Sequence, residues 1–146
     1  MKTERLQSKQ KTGFDVQTIV IRAPYDRVFR YIADPQTLPE WTHAFKNVSK
    51  RHATMETPDG SVDIGLEVRA SQENGTIDWF MEFPDGSEGS AYSRLIPDGV
   101  DRCIYSFVLM APPVPQEQIE GTLERQKAIL RSELAKLKAI LQKSSE

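Results

Sequence analysis

Cysteine and histidine are nearly absent from this chain of 146 residues, which has one Cys (Cys103) and two His (His43 and His52). A single thiol excludes an internal disulfide framework and any cysteine-rich zinc site, and it makes a reducing, cytoplasmic compartment the expectation. Long apolar runs are missing as well. The longest extends from Phe107 to Ala111, and the charged opening stretch MKTERLQSKQKT has no apolar segment behind it, so neither a membrane span nor a signal peptide is expected. His-x-x-x-His, Cys-x-x-Cys, a nucleophile elbow and a glycine-rich phosphate loop are all absent. Metal, hydrolytic and nucleotide chemistries therefore lack their usual signals, and no metal or cofactor is expected.

What is present suits one domain with a sizeable core. The net charge of −2 conceals a partition: residues 1–55 carry ten basic and five acidic side chains, residues 56–101 two and eleven, and residues 102–146 seven and five. The acidic middle would repel a phosphate backbone, so nucleic acid is not an expected partner.

Turn chemistry punctuates that middle part. Pro58-Asp59-Gly60, Asn74-Gly75, Pro84-Asp85-Gly86 and Pro97-Asp98-Gly99 each combine a fixed φ, or tolerance of positive φ, with local side-chain hydrogen bonding. They join short runs that read as an antiparallel meander. In Ser61–Ser71 the residues Val62, Ile64, Leu66, Val68 and Ala70 share one face, with Asp63, Glu67 and Arg69 on the other. In Thr76–Phe83 the residues Ile77, Trp79, Met81 and Phe83 oppose Asp78 and Glu82. The acidity thus belongs to turns and to an outer sheet face. Ser87–Ile96 has two competing phases, and Arg102–Met110 is apolar on both faces. Phe45–Thr57 is a weaker strand candidate, and the β-branched stretch Phe14–Arg22 makes a sixth strand.

Two segments read as helical. Pro24 opens a stretch in which Val28, Phe29, Ile32 and Ala33 recur at helical spacing, ending near Asp34-Pro35, and a short helix or turn follows over Thr37–Thr42. Gln116–Lys143 forms the long helix, with Ile119, Leu123, Leu130, Leu134, Leu137 and Leu141 in a stripe that Lys127 interrupts. It is the only element large enough to cover a one-sided apolar sheet.

This order resembles the START-like superfamily, also called Bet v 1-like or SRPBCC, which includes polyketide cyclase/dehydrase and lipid-transport proteins. The resemblance is carried by Ile19-Val20-Ile21-Arg22-Ala23-Pro24-Tyr25-Asp26-Arg27-Val28-Phe29, by Asp34-Pro35 and by Leu38-Pro39-Glu40-Trp41. It implies an α+β helix-grip fold: a curved antiparallel sheet of about six strands wrapped around a long C-terminal helix, with two short helices after the first strand. A single domain would cover 14–143 behind a flexible N-terminal segment, 1–13. It also implies an internal cavity holding a hydrophobic molecule.

The residues that would line such a cavity are Trp41, Ile64, Leu66, Val68, Trp79, Met81 and Phe83, with Leu123, Lys127 and Leu130 from the long helix. Each of these apolar side chains serves equally as packed core. Lys127 either binds an acidic group or snorkels to solvent. Tyr92 and Arg94 reach the cavity in one strand phase; in the other, Arg94 faces Asp78, Glu82 or Glu67. His43, Tyr92, Arg94 and Tyr105 are the acid–base candidates for an enzyme, although no carboxylate is evident to orient His43. Carriage or sensing of a small hydrophobic or amphipathic ligand is the leading expectation, and a cyclase or dehydratase using the same cavity is the alternative. The chain is expected as a monomer or a homodimer.

Overall fold

The computed structural model describes residues 13–57, 60–112 and 122–143. The expected N-terminal segment, apart from Gly13, and residues 116–121 of the expected long helix lie outside the described residues.

Strand β1 (Phe14–Ile21) leads into helix α1 (Tyr25–Ala33), a single 3-10 turn (Pro35–Thr37) and the short helix α2 (Leu38–Trp41). A meander follows: β2 (Phe45–Val48), β3 (His52–Thr57), β4 (Gly60–Ser71), β5 (Thr76–Glu82), β6 (Glu88–Pro97) and β7 (Cys103–Met110). Helix α3 (Leu123–Lys143) closes the order. All strands join one seven-stranded antiparallel sheet, ordered β1-β7-β6-β5-β4-β3-β2.

The sheet of about six strands that the sequence implies has seven. Phe45–Thr57 is a hairpin, because the chain turns over Ser49–Arg51, where the Ser49 N–H donates to the His52 carbonyl at 2.8 Å. No Gly or Pro marks that turn in the sequence. Helix α1 ends where proline chemistry requires: Asp34, before Pro35, is extended, and its carboxylate accepts from the Gln36 N–H at 3.0 Å.

Burial alternates along the strands. Ala53, Met55, Ile64, Leu66, Ile77, Trp79 and Met81 are buried on the inner face, while Asp63, Glu67, Arg69 and Glu82 are exposed on the outer one. The two undecided strands also acquire a phase. Gly89, Ala91, Ser93 and Leu95 of β6 point inward, as do Cys103, Tyr105 and Phe107 of β7.

Helix α3 buries Gln126, Leu130, Leu134, Leu137 and Leu141 at spacings of three or four residues. Its stripe thus runs through Gln126 rather than Lys127. Polar contacts tie the helix to the sheet and loops: the Gln17 side-chain amide donates to the Lys127 carbonyl at 3.0 Å, the Arg22 N–H to Gln142 Oε1 at 2.9 Å, and the His43 N–H to Glu133 Oε2 at 2.6 Å.

Candidate functional site

The inner face of the sheet owes its shape to the small residues of β6. Adjacent strands lie about 4.8 Å apart, so side chains on β5 and β7 are separated by roughly twice that distance. Trp79 of β5 lies opposite Ala91, and Phe107 of β7 opposite Ser93. With little side chain between them, the Trp79 and Phe107 rings meet across β6, centroids 5.6 Å apart and planes inclined by 28°. Tyr105 joins edge-on, its centroid 6.4 Å from that of Phe107 at 73°. An aromatic shelf therefore spans three strands.

The shelf carries polar atoms that its surroundings leave unsatisfied. Trp79 Nε1 and the Tyr105 hydroxyl are buried, as is Trp41 Nε1 at the end of α2, and none has a hydrogen-bond partner among the described residues. Buried donors are normally paired, because an unmade hydrogen bond retains the whole desolvation penalty. Ser93, on the neighbouring strand, lies close enough to the Tyr105 phenol for its hydroxyl to offset part of the effect of burial, and it donates its own proton to the Ile77 carbonyl at 2.7 Å. The two hydroxyls do not meet the full geometry of a hydrogen bond. Burial above all pushes the Tyr105 phenol well above the ordinary tyrosine value, so it stays protonated at neutral pH.

Of the expected lining, Trp41, Ile64, Leu66, Trp79, Met81, Phe83 and Leu130 are buried in one continuous apolar cluster, and Val68 packs half-buried against it. Leu123 sits half-buried at the start of α3, close to Gly13. Lys127 turns aside: its Nζ donates to Glu124 Oε2 at 3.0 Å.

The four acid–base candidates are not brought together. Tyr105 points inward, while Tyr92 and Arg94 are exposed on the outer face. There Glu67 pairs with Arg69 at 2.6 Å, not with Arg94, and Tyr92 meets Phe80 edge-on at 5.9 Å. His43 is exposed. Glu133, the carboxylate nearest to orienting it, accepts from its backbone N–H, and Glu40 accepts from the Tyr31 hydroxyl at 2.6 Å. A separate groove of about 450 Å³, where β4 outruns β5, gathers His52, Asp63 and Glu82 around Gly65. The described residues hold no set of three His, Cys, Asp or Glu able to bind a metal ion.

Ala91 and Ser93, whose smallness makes the shelf, enter the sequence reading only as one of two strand phases, and Gln126, the buried polar residue of α3, is not singled out there. The signal was the alternation of small residues in β6, readable only once its phase is known.

No protein-family model matches the chain, and no curated protein matches it in sequence. Solved structures do match in shape. A START superfamily protein from Mycobacterium smegmatis aligns with a TM-score of 0.63 at 13% identity, over 89% of this chain and 97% of that one. An aromatase/cyclase, ZhuI from Streptomyces sp. R1128, aligns with a TM-score of 0.63 at 13% identity, over 92% and 94%. The di-domain aromatase/cyclase BexL of the BE-7585A biosynthetic pathway aligns at 0.64 and 18% identity, over 87% of this chain and 45% of that one. With its seven-stranded antiparallel sheet, two short helices after β1 and long C-terminal helix, the chain has the START-like helix-grip fold.

Proposed function

We propose that this chain binds a small hydrophobic or amphipathic molecule, of lipid or polyketide-like character, between its sheet and α3, and acts as a carrier or sensor in the cytoplasm. The observation that carries this reading is that Trp41 Nε1, Trp79 Nε1 and the Tyr105 hydroxyl, with Arg27 Nη2 of α1 as a fourth such atom, are buried without a hydrogen-bond partner among the described residues of a largely apolar interior. A few placed polar groups in an apolar surround are how a pocket orients its ligand. The likeness in fold to a START superfamily protein and to aromatase/cyclases supports it by analogy.

The test is native mass spectrometry of the purified chain combined with thermal unfolding against lipids, sterols and polycyclic aromatics. At least one class should be retained and should raise the melting temperature, since a ligand at about 100 times its Kd adds roughly 2.7 kcal/mol. A chain that retains nothing and melts unchanged against the whole panel would refute the reading.

A second reading, a cyclase or dehydratase working in the same space, is favoured by the inward phenol of Tyr105 and by the fold of the two aromatase/cyclases. Its other candidates, His43, Tyr92 and Arg94, do not share that face. Turnover of a polyketide-like substrate that disappears in Tyr105→Phe would establish it; turnover that survives would remove the phenol from the chemistry.

A further inference from the structure

We propose that β1 pairs antiparallel with the β1 strand of a second copy of this chain, joining the two sheets edge to edge.

The sheet has two edges, and they are built differently. β2, at one edge, has four residues, a break in register between Phe45 and Asn47, and a lysine, Lys46. Shortness, a bulge and a lysine are how an edge is kept from pairing with other chains. β1, at the other edge, has eight residues in unbroken register with β7 and contains no Lys, Pro or Gly. Its one charge, Asp15, is engaged by the Gln17 side-chain amide at 2.7 Å.

Hydrogen-bond parity shows which backbone groups this edge presents. The Ala111 N–H donates to the Gly13 carbonyl at 2.9 Å, continuing the β1–β7 register. Alternate residues of an antiparallel strand bond to the same neighbour, so the odd-numbered residues of β1 face β7. Phe14, Val16, Thr18 and Val20 therefore turn their N–H and C=O groups to the open side. Arg22, the next even residue, likewise turns its N–H away from β7, to Gln142 Oε1. Among the described residues, no backbone hydrogen bond outside the sheet ladder reaches those four positions. Helix α3 meets the strand from the inner face, where Gln17 binds the Lys127 carbonyl.

The side chains of the same residues also lack a neighbour. Phe14, Val16 and Val20 are 61%, 50% and 36% exposed. Met110, Val108 and Ile104, directly across from them on β7, are half-buried. β7 has a strand on each side and β1 has one, which is the difference a second copy would remove.

Two β1 strands complement each other. A two-fold axis at Gln17 sets Phe14 opposite Val20 of the second copy and Val16 opposite Thr18 of the second copy. That register joins all four free positions in hydrogen-bonded pairs, about eight backbone bonds in all. Asp15 falls opposite Ile19 of the second copy, so no like charges meet, and the apolar side chains gain cross-strand partners. An edge about 26 Å long and about 15 Å across its side chains covers roughly 400 Å² per copy, half of a standard interface. The dimer is accordingly reversible, with a dissociation constant on the order of 10–100 μM.

Sedimentation velocity of the full chain tests this, at concentrations from about 5 to 500 μM, which bracket that constant. The chain should pass from monomer to dimer across the series. Thr18→Pro deletes an N–H that faces the open edge and spares the bonds to β7, a placement that an edge strand tolerates. It should weaken the dimer at least tenfold. Val16→Lys, which puts a lysine on an exposed side chain, should do the same without touching the backbone. Ile96→Lys, on the outer face of β6 two strands away, should leave the dimer intact. Melting temperatures at the lowest concentration check that each variant folds. In hydrogen exchange, the Val16 and Val20 amides should slow as the dimer forms, while those of Gln17 and Ile19 are protected throughout. A chain that stays monomeric across the series would overturn the proposal. So would a dimer that Ile96→Lys dissociates and Thr18→Pro and Val16→Lys do not, because its outer sheet faces would then be stacked.

Discussion

In the proposed function, Tyr105 serves binding at the expense of stability. It is fully buried, its ring meets Phe107, and its hydroxyl has no partner among the described residues. Replacing it with Phe keeps the packing and removes an unsatisfied donor, a change that is neutral to stabilising when the group is truly unpaired. Tyr105→Phe should therefore raise the melting temperature of the ligand-free chain by about 2–4 °C, corresponding to about 1 kcal/mol, in a thermal unfolding scan. A lower melting temperature would mean that the phenol is paired in solution. That Tyr105 faces inward was not legible in its strand, since Ile104, Tyr105, Ser106, Phe107 and Val108 offer an apolar surface in either phase.

At the level of elements, the β4–β5 hairpin is anchored by its turn. Gly75 has φ of 75°, its N–H donates to the Ser71 carbonyl at 2.8 Å, and its own carbonyl accepts from the Leu95 N–H at 2.7 Å. A Cβ added there would collide with the Leu95 carbonyl oxygen of β6, a backbone atom that cannot swing aside. Gly75→Ala combines that collision with a disfavoured φ and should destabilise the chain by about 3 kcal/mol in denaturant unfolding. A loss under 1 kcal/mol would show that the turn can lift off β6. The Asn74-Gly75 pair announced a turn in the sequence; its docking against Leu95 is a contact between distant residues that no local pattern encodes. The β2–β3 turn is the converse case, where a real reversal has no Gly or Pro to mark it.

For the whole molecule, burial ties stability to alkaline pH. Desolvation, with a smaller contribution from the charge of Asp98, raises the Cys103 thiol from 9.0 to about 11. Desolvation likewise raises Tyr105, Tyr31 and Tyr25 above 10.0, and for Tyr31 the hydrogen bond to Glu40 adds to it. Each of these groups holds its proton more tightly folded than unfolded. Their contribution is complete below the unfolded values and is lost as pH climbs toward the folded ones. The melting temperature should therefore be insensitive to these groups up to about pH 8 and fall across pH 9–11. Cys103→Ala should flatten the early part of that fall; an unchanged slope would show that the thiol is not protected.

Locally written features were decided by the sequence alone: the order of elements, the turns at Asn74-Gly75, Asp85-Gly86 and Asp98-Gly99, and the inner faces of β4 and β5. In those strands apolar and acidic residues alternate, and only one phase buries the apolar set. The tertiary structure decided what depends on neighbours. In β6 either phase buries comparable apolar surface, and pairing with β5 and β7 turned Ala91, Ser93 and Leu95 inward and Tyr92 and Arg94 outward. That choice opened the gap across which Trp79 and Phe107 meet, and it removed Arg94 from the interior. Hydrogen-bond satisfaction has the same origin, because whether an indole or a phenol is paired depends on every group folded around it.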